Sequence, residues 1–247
     1  KELTLKMTLD VIVVDESGRD GIPIQSNRAT SSVIRVANRE ERIATMDAVT
    51  ERLKNEGRNV AVIPLGGSVP LGALGFVCAV QEAKAQLETM NLRIDYIFHS
   101  SSSGGTQAGI VAGLQLFGLD AVKDIGVSPD DSSDSIGGEV SDIIRGVGEM
   151  LGVELDDQAT VLDEFTGEGY GIPSPAGDEA LAMLARAEGV VLDPVYTAKA
   201  MAALIDWVRA GKLGKDDNVL FWHTGGQLAL FYSPDGATEG KREGEKK

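Results

Sequence analysis

The feature that most narrows the fold of this chain is a regular alternation of short β-branched or apolar runs with longer amphipathic stretches. Residues 10–14, 32–37, 59–64, 94–99, 123–127, 189–192 and 218–223 read as strands by composition and length. Between them, residues 42–55, 71–88, 107–117, 136–151, 176–187 and 197–210 carry helical periodicity, with a shorter helical pattern at 226–231. Strand-then-helix repetition predicts an α/β protein whose mostly parallel sheet is covered by helices on both faces.

The chain has 247 residues, of which 43% are hydrophobic, enough to bury a sizeable core in one large domain or two unequal ones. A net charge of −15 argues against nucleic acid or an anionic membrane surface as partner, since both are polyanions, and favours a small-molecule substrate. Cys78 is the single cysteine, so neither a disulfide framework nor a cysteine metal cluster can form, and a reducing compartment is expected. With two histidines, His99 and His223, a histidine-rich metal site is not expected either. No apolar run has the length of a membrane span, and residues 1–10 lack the apolar segment of a signal peptide, so the expected location is the cytoplasm. Residues 235–247 are charged and Gly-rich and read as a disordered tail.

The most informative local motif is Ser-Ser-Ser-Gly-Gly-Thr at 101–106, placed between the strand at 94–99 and the helix at 107–117. In an open parallel sheet this is where ligands bind. Small residues let backbone N–H groups close on an anion, helped by the helix dipole and here by the hydroxyls of Ser103 and Thr106. The alternative is a strand-to-helix turn that uses Gly and Ser for backbone freedom alone. The segment lacks the Gly-Lys-Ser/Thr ending of a Walker motif and does not match G-x-G-x-x-G. Asp130, Asp131 and Asp134 follow the strand at 123–127 and read as a solvated loop that caps the next helix, in preference to a metal site. His99 reads as a hydrogen-bonded structural histidine, and Trp207 and Trp222 as core or subunit-interface residues.

The run HSSSSGGTQAGIVAGL at 99–114 resembles the phosphate-binding loop and following helix of the D-cysteine desulfhydrase and 1-aminocyclopropane-1-carboxylate deaminase family. Four further segments agree in order: IQSN at 24–27, VIPLGGSVPLGALGF at 62–76, GYGIPSPAG at 169–177 with LDPVYTAKAM at 192–201, and HTGG at 223–226. The resemblance implies a two-domain, tryptophan-synthase-β-like fold of type II with an incomplete smaller domain. Residues 11–75 would be the remnant of that domain, and residues 1–10 and 76–234 the larger, cofactor-binding one.

The implied cofactor is pyridoxal 5'-phosphate, with Asn27, Ser102, Ser103, Gly104, Gly105, Thr106, Thr197 and Thr224 as its contacts. Gln25, Ser26 and Asn27 resemble substrate contacts, and Ser26, Tyr170 and Tyr196 resemble catalytic residues. Taken without the resemblance, residues 25–27 are an ordinary helix N-cap and the tyrosines half-buried packing residues. His223, next to Thr224, would help shape the site. A small amino acid is the implied substrate and a homodimer the implied assembly.

Within the family, the deaminase pattern places Glu at the position of Thr197 and an apolar residue at that of Thr224. Threonine at both leans toward β-elimination, as in D-cysteine desulfhydrase or a cysteate sulfo-lyase, because a carboxylate near the cofactor ring would favour its protonated form. The chain departs from the family in one respect that matters for chemistry. The lysine expected in a Gly-Asn-Lys-like context before Gln-Ser-Asn has no counterpart, and only Lys1 and Lys6 precede Gln25. Segments absent from this sequence, a second subunit, or a non-catalytic phosphate-ligand protein would each account for it, the first being the expectation.

Overall fold

A computed structural model describes residues 11–16 and 31–231; residues 1–10, 17–30 and 232–247 are outside the description. The chain divides into two compact units, Ile63–Phe231 and the remainder, Lys1–Val62 with Tyr232–Lys247. The described part of the second of these is a parallel pair of strands, β1 (Val11–Glu16) and β2 (Ser31–Val36), followed by α1 (Arg39–Asn55). Asn38 caps α1, its side chain accepting from the Glu41 N–H at 2.9 Å, and Glu40 and Glu41 favour the positive end of the helix dipole.

The larger unit holds α2 (Pro70–Met90), β3 (Tyr96–Ser100), α3 (Gly105–Leu116), β4 (Lys123–Val127), α4 (Ser133–Leu151), β5 (Thr160–Leu162), α5 (Pro175–Glu188), α6 (Thr197–Arg209) and β6 (Val219–Phe221). Its four strands are all parallel, in the order β5-β4-β3-β6. Both faces are covered, as strict alternation along β3 requires. Ile97 packs with Val80, Ile110 and Leu114 of α2 and α3, while Phe98 packs with Ala200 and Ala203 of α6. A separate apolar cluster of Ala73, Ala108, Ile136, Val140 and Ile144 binds α2, α3 and α4 to one another.

The α2–α3 crossing depends on small residues. A Cβ on Gly109 would lie 2.3 Å from the Ala73 carbonyl oxygen and 2.5 Å from Phe76 Cβ, neither of which can move without displacing a helix. Gly109→Ala is therefore expected to destabilise the protein by about 1–3 kcal/mol, read as a lower midpoint in urea. An unchanged midpoint would mean that the helices do not cross this closely.

The α/β, parallel, two-faced architecture expected from the alternation is present. Two expected strands are not. Residues 59–64 are irregular: the run ends at Pro64, which has no N–H to give to a ladder, and Ile63 is 78% exposed. Residues 189–192 also join no sheet, although Leu192 is fully buried; they begin at Gly189, the left-handed cap of α5. In compensation, Thr160–Leu162 forms a strand that three residues behind an acidic stretch did not announce. The helical pattern at 226–231 is a 3-10 turn, Gln227–Phe231. Trp207 sits edge-on to Phe98 at 5.2 Å and Trp222 lies 6.4 Å from Phe76, so both tryptophans serve the core. No helix among the described residues is long and apolar enough to cross a membrane.

Candidate active site

Because the four strands are parallel, their carboxyl ends share one sheet edge, and chain order makes the place between β3 and β6 the switch point: β4 and β5 extend the sheet on one side of β3, and β6 on the other. Ligands of such sheets bind at that crevice. The segment after β3 holds Ser101–Thr106, and the segment after β6 holds His223–Gly226.

The cup is built as follows. Gly104, the N-cap of α3, has φ 80°, a left-handed conformation that glycine adopts without strain. It turns the chain from strand to helix so that the first-turn N–H groups of α3, which have no acceptor four residues back, face the loop. A residue without a role in the sequence reading completes it. The Ser68 hydroxyl, just before α2, accepts from the Gly105 N–H at 3.2 Å and shares a 2.7 Å hydrogen bond with the Ser103 hydroxyl.

Space is reserved by glycine: a Cβ on Gly66, whose φ is 67°, would come within 2.4 Å of Ser103 Oγ, and one on Gly105 within 2.7 Å of Ser68 Oγ. Ser101 Oγ is buried without a hydrogen-bond partner among the described residues. Its N–H donates to the Val127 carbonyl at 2.9 Å, which ties the loop to β4. A cradle of small residues, first-turn N–H groups, hydroxyls and an unsatisfied buried Oγ fits a phosphate group.

Beneath the cup, α3 is anchored by a buried polar network. Gln107, in the first turn, donates through Nε2 to Asp124 Oδ2 and to the Thr160 carbonyl, both at 2.9 Å. Asp124 Oδ1 lies 3.0 Å from His99 Nε2, and His99 Nδ1 lies 3.1 Å from the Ser100 carbonyl. Both ring nitrogens thus face oxygens that accept, which only the doubly protonated imidazolium satisfies. Burial, the largest single influence, pushes the His99 pKa down. The Asp124 charge and hydrogen bond, with the Ser100 carbonyl, outweigh it and leave the pKa above its ordinary value. Gly126, opposite His99 on β4, is what makes room: a Cβ there would be 2.2 Å from Gln107 Oε1. His99 is the structural, hydrogen-bonded histidine that the sequence suggested.

The tyrosines come together. Tyr170, in the segment after β5, and Tyr196, at the N-terminus of α6, are hydrogen-bonded through their hydroxyls, with ring centroids 5.8 Å apart. Behind Tyr196 lies Asp193, fully buried and also without a role in the sequence reading. Its carboxylate accepts from the N–H groups of Val195, Tyr196 and Thr197 at 2.8–2.9 Å and from the Thr197 hydroxyl at 2.6 Å. The Thr197 hydroxyl also accepts from the Asp193 N–H at 2.8 Å, so its one donor and one of its lone pairs are engaged with Asp193.

A Cβ on Gly226 would lie 2.6 Å from the Asp193 carboxylate, and Gly225 and Gly226 have φ 92° and 94°; the paired glycines let the turn pass this close. His223 Nδ1 accepts from the Gly225 N–H at 3.1 Å, and its Nε2 lies 3.0 Å from the Val191 carbonyl. Thr224 is exposed beside it.

Of the remaining sequence-stipulated residues, Ser102, Ser103 and Thr106 are half-buried in the cup loop and Gly104 and Gly105 are buried. Gln25, Ser26 and Asn27 lie outside the described residues, as do Lys1 and Lys6. The acidic loop has no metal cluster: among the described residues no group of three or more potential ligands exists. The α4 N-terminus is capped by Ser132, which accepts from the Ser135 N–H, and by Asp163, which accepts from the Ser133 N–H at 2.6 Å.

Comparison with known proteins agrees with this geometry. The family described as "Pyridoxal-phosphate dependent enzyme" matches residues 7–225. The chain is 38% identical over 192 residues to D-cysteine desulfhydrase of Salmonella newport, which covers 77% of this chain and 58% of that relative. Among solved structures, an ACC deaminase homologue superposes with a TM-score of 0.71 at 32% identity, over 80% of this chain and 59% of its own. Diaminopropionate ammonia lyase of Escherichia coli shares the fold, with a TM-score of 0.57 at 13% identity over 89% and 61% of the two chains. The chain spans under two thirds of the length of these relatives. It belongs to the pyridoxal-phosphate dependent enzymes of the tryptophan-synthase-β-like fold, type II.

Proposed function

We propose that this chain is the cofactor-binding part of a pyridoxal-phosphate lyase that eliminates the β-substituent of a small amino acid, D-cysteine being the first candidate. The observation that carries the reading is the hydrogen-bonded Tyr170–Tyr196 pair, set on the same carboxyl edge of the sheet as a phosphate-shaped cup. Bound in the cup, pyridoxal phosphate supplies an electron sink that lets an amino acid lose its α-proton and then its β-substituent.

The chain's own residues would do the rest. First-turn N–H groups of α3, with Ser103 and Thr106, hold the phosphate, and Gln107 and Asp124 keep that helix end in place. The paired phenols hold or pass a proton at their oxygen atoms near the substrate. Asp193 fixes the turn that presents Tyr196. Gln25, Ser26 and Asn27 remain the proposed substrate contacts, with Asn27, Ser102, Thr197 and Thr224 as further cofactor contacts. Threonine at 197 and 224 supports thiol elimination over ring opening. A cytoplasmic homodimer is the proposed setting.

Sulfide and pyruvate released from D-cysteine, with no 2-oxobutanoate from 1-aminocyclopropane-1-carboxylate, is the expected result; the reverse pattern would make the chain a deaminase. Borohydride treatment checks the covalent chemistry independently: fixation of the cofactor at a lysine supports the enzyme, and reversible binding with no sulfide would overturn it.

A further inference from the structure

The largest fully buried ionisable side chain among the described residues, Lys199, is not one of the residues of the cup or the tyrosine pair. Lys199 is fully buried in α6, in a stretch from Thr197 to Ala203 in which every residue is buried. Its ammonium donates to three backbone carbonyls: Pro129 at 2.9 Å, Thr166 at 2.6 Å and Gly169 at 3.0 Å. Three donors meet three acceptors, so the group is saturated.

Burying an ammonium is costly, and a methionine of similar shape would fill the same space without that cost. What a methionine could not do is satisfy carbonyls in two separate loops. Pro129 belongs to the loop after β4, while Thr166 and Gly169 belong to the loop after β5 that carries Tyr170. Gly169 has φ 142°, a conformation that favours glycine, and it precedes Tyr170 directly. Tyr196 opens the helix that bears Lys199, three residues earlier.

We propose that Lys199 is a positioning residue for the tyrosine pair: by gathering the Pro129, Thr166 and Gly169 carbonyls onto the first turn of α6, it sets Tyr170 against Tyr196. This rests on the reading of that pair as site residues. Burial pushes the ammonium pKa down, and the nearby Asp130 charge acts against that.

The test uses the full chain and Lys199→Met. Hydrogen–deuterium exchange of peptides covering residues 164–171 is expected to rise about tenfold or more, with peptides from β3, β4 and α3 unchanged. A uniform rise across the protein, or none, would overturn the proposal. Turnover gives the second readout. K199M and Tyr170→Phe should each lower kcat for sulfide release, and the double variant should fall no further than Y170F alone; losses that multiply would overturn a role exerted through the phenol.

Should K199M not fold, Lys199→Ala is refolded with and without methylammonium: recovery that depends on the amine supports the clamp, and equal recovery overturns it. The exchange result needs no turnover, so an inactive chain still reports on the clamp. Failure of the clamp, in turn, leaves the proposed activity untouched.

Discussion

Asp124→Asn is expected to destabilise the protein by about 3–5 kcal/mol, the cost of leaving a buried charge without its partner. Asp124 balances the His99 imidazolium, and it also accepts from the Gln107 amide. The amide keeps the shape but not the charge. His99 must then either remain protonated without a counter-charge or lose the proton and the hydrogen bond with it. Urea unfolding reads the loss directly, and a change under about 1 kcal/mol would show that the network is not the buried ion pair described.

The same pair sets a pH dependence. With the folded pKa of His99 raised above its ordinary 6.5, the native state binds more protons than the unfolded state between those two values. The pair's contribution is therefore complete below 6.5 and is lost as pH rises through the folded pKa. D124N should flatten that part of the stability profile; a wild-type profile that rises over the window would contradict the assignment.

Tyr196→Phe is expected to lower kcat for sulfide release by about 10²–10⁴-fold, the range for a lost proton-transfer group, with the melting point nearly unchanged. The substitution removes the hydroxyl that bonds to Tyr170, while the ring and the Asp193 turn that places it are kept. Tyr170→Phe should show a similar but separable defect. If Y196F retains full turnover while KM rises, the pair binds substrate and moves no proton.

The α/β fold was legible because parallel strands buried on both faces read as short apolar runs, as at Tyr96–Ser100 and Lys123–Val127. Residues 59–64 and 189–192 carry the same composition and failed, since a ladder needs a partner that composition does not name. The cup was legible for another reason: its hydroxyls and glycines are consecutive in sequence, so one segment declares the site. Ser68, Asp193 and Lys199 act across the fold and could not declare themselves in this way. Lys199 left one trace, a lone charge among the uncharged residues of Thr197–Ala203, but spacing alone does not distinguish a buried ammonium from a solvated one. Asp193 left another, an Asp-Pro ahead of a helix start, which is a capping signal. The substrate contacts at 25–27 stay as proposed from sequence, being outside the described residues.

The proposed cofactor chemistry depends on the Ser101–Thr106 cup holding the phosphate of pyridoxal phosphate. Equilibrium titration of the chain with pyridoxal phosphate and with pyridoxal compares ligands that differ only in that group. Tighter binding of the phosphate ester by about 100-fold, or nearly 3 kcal/mol, is expected, with the preference lost in Gly105→Val, where the added side chain meets Ser68. Equal affinity for the two ligands, or a preference that survives in G105V, would contradict the account.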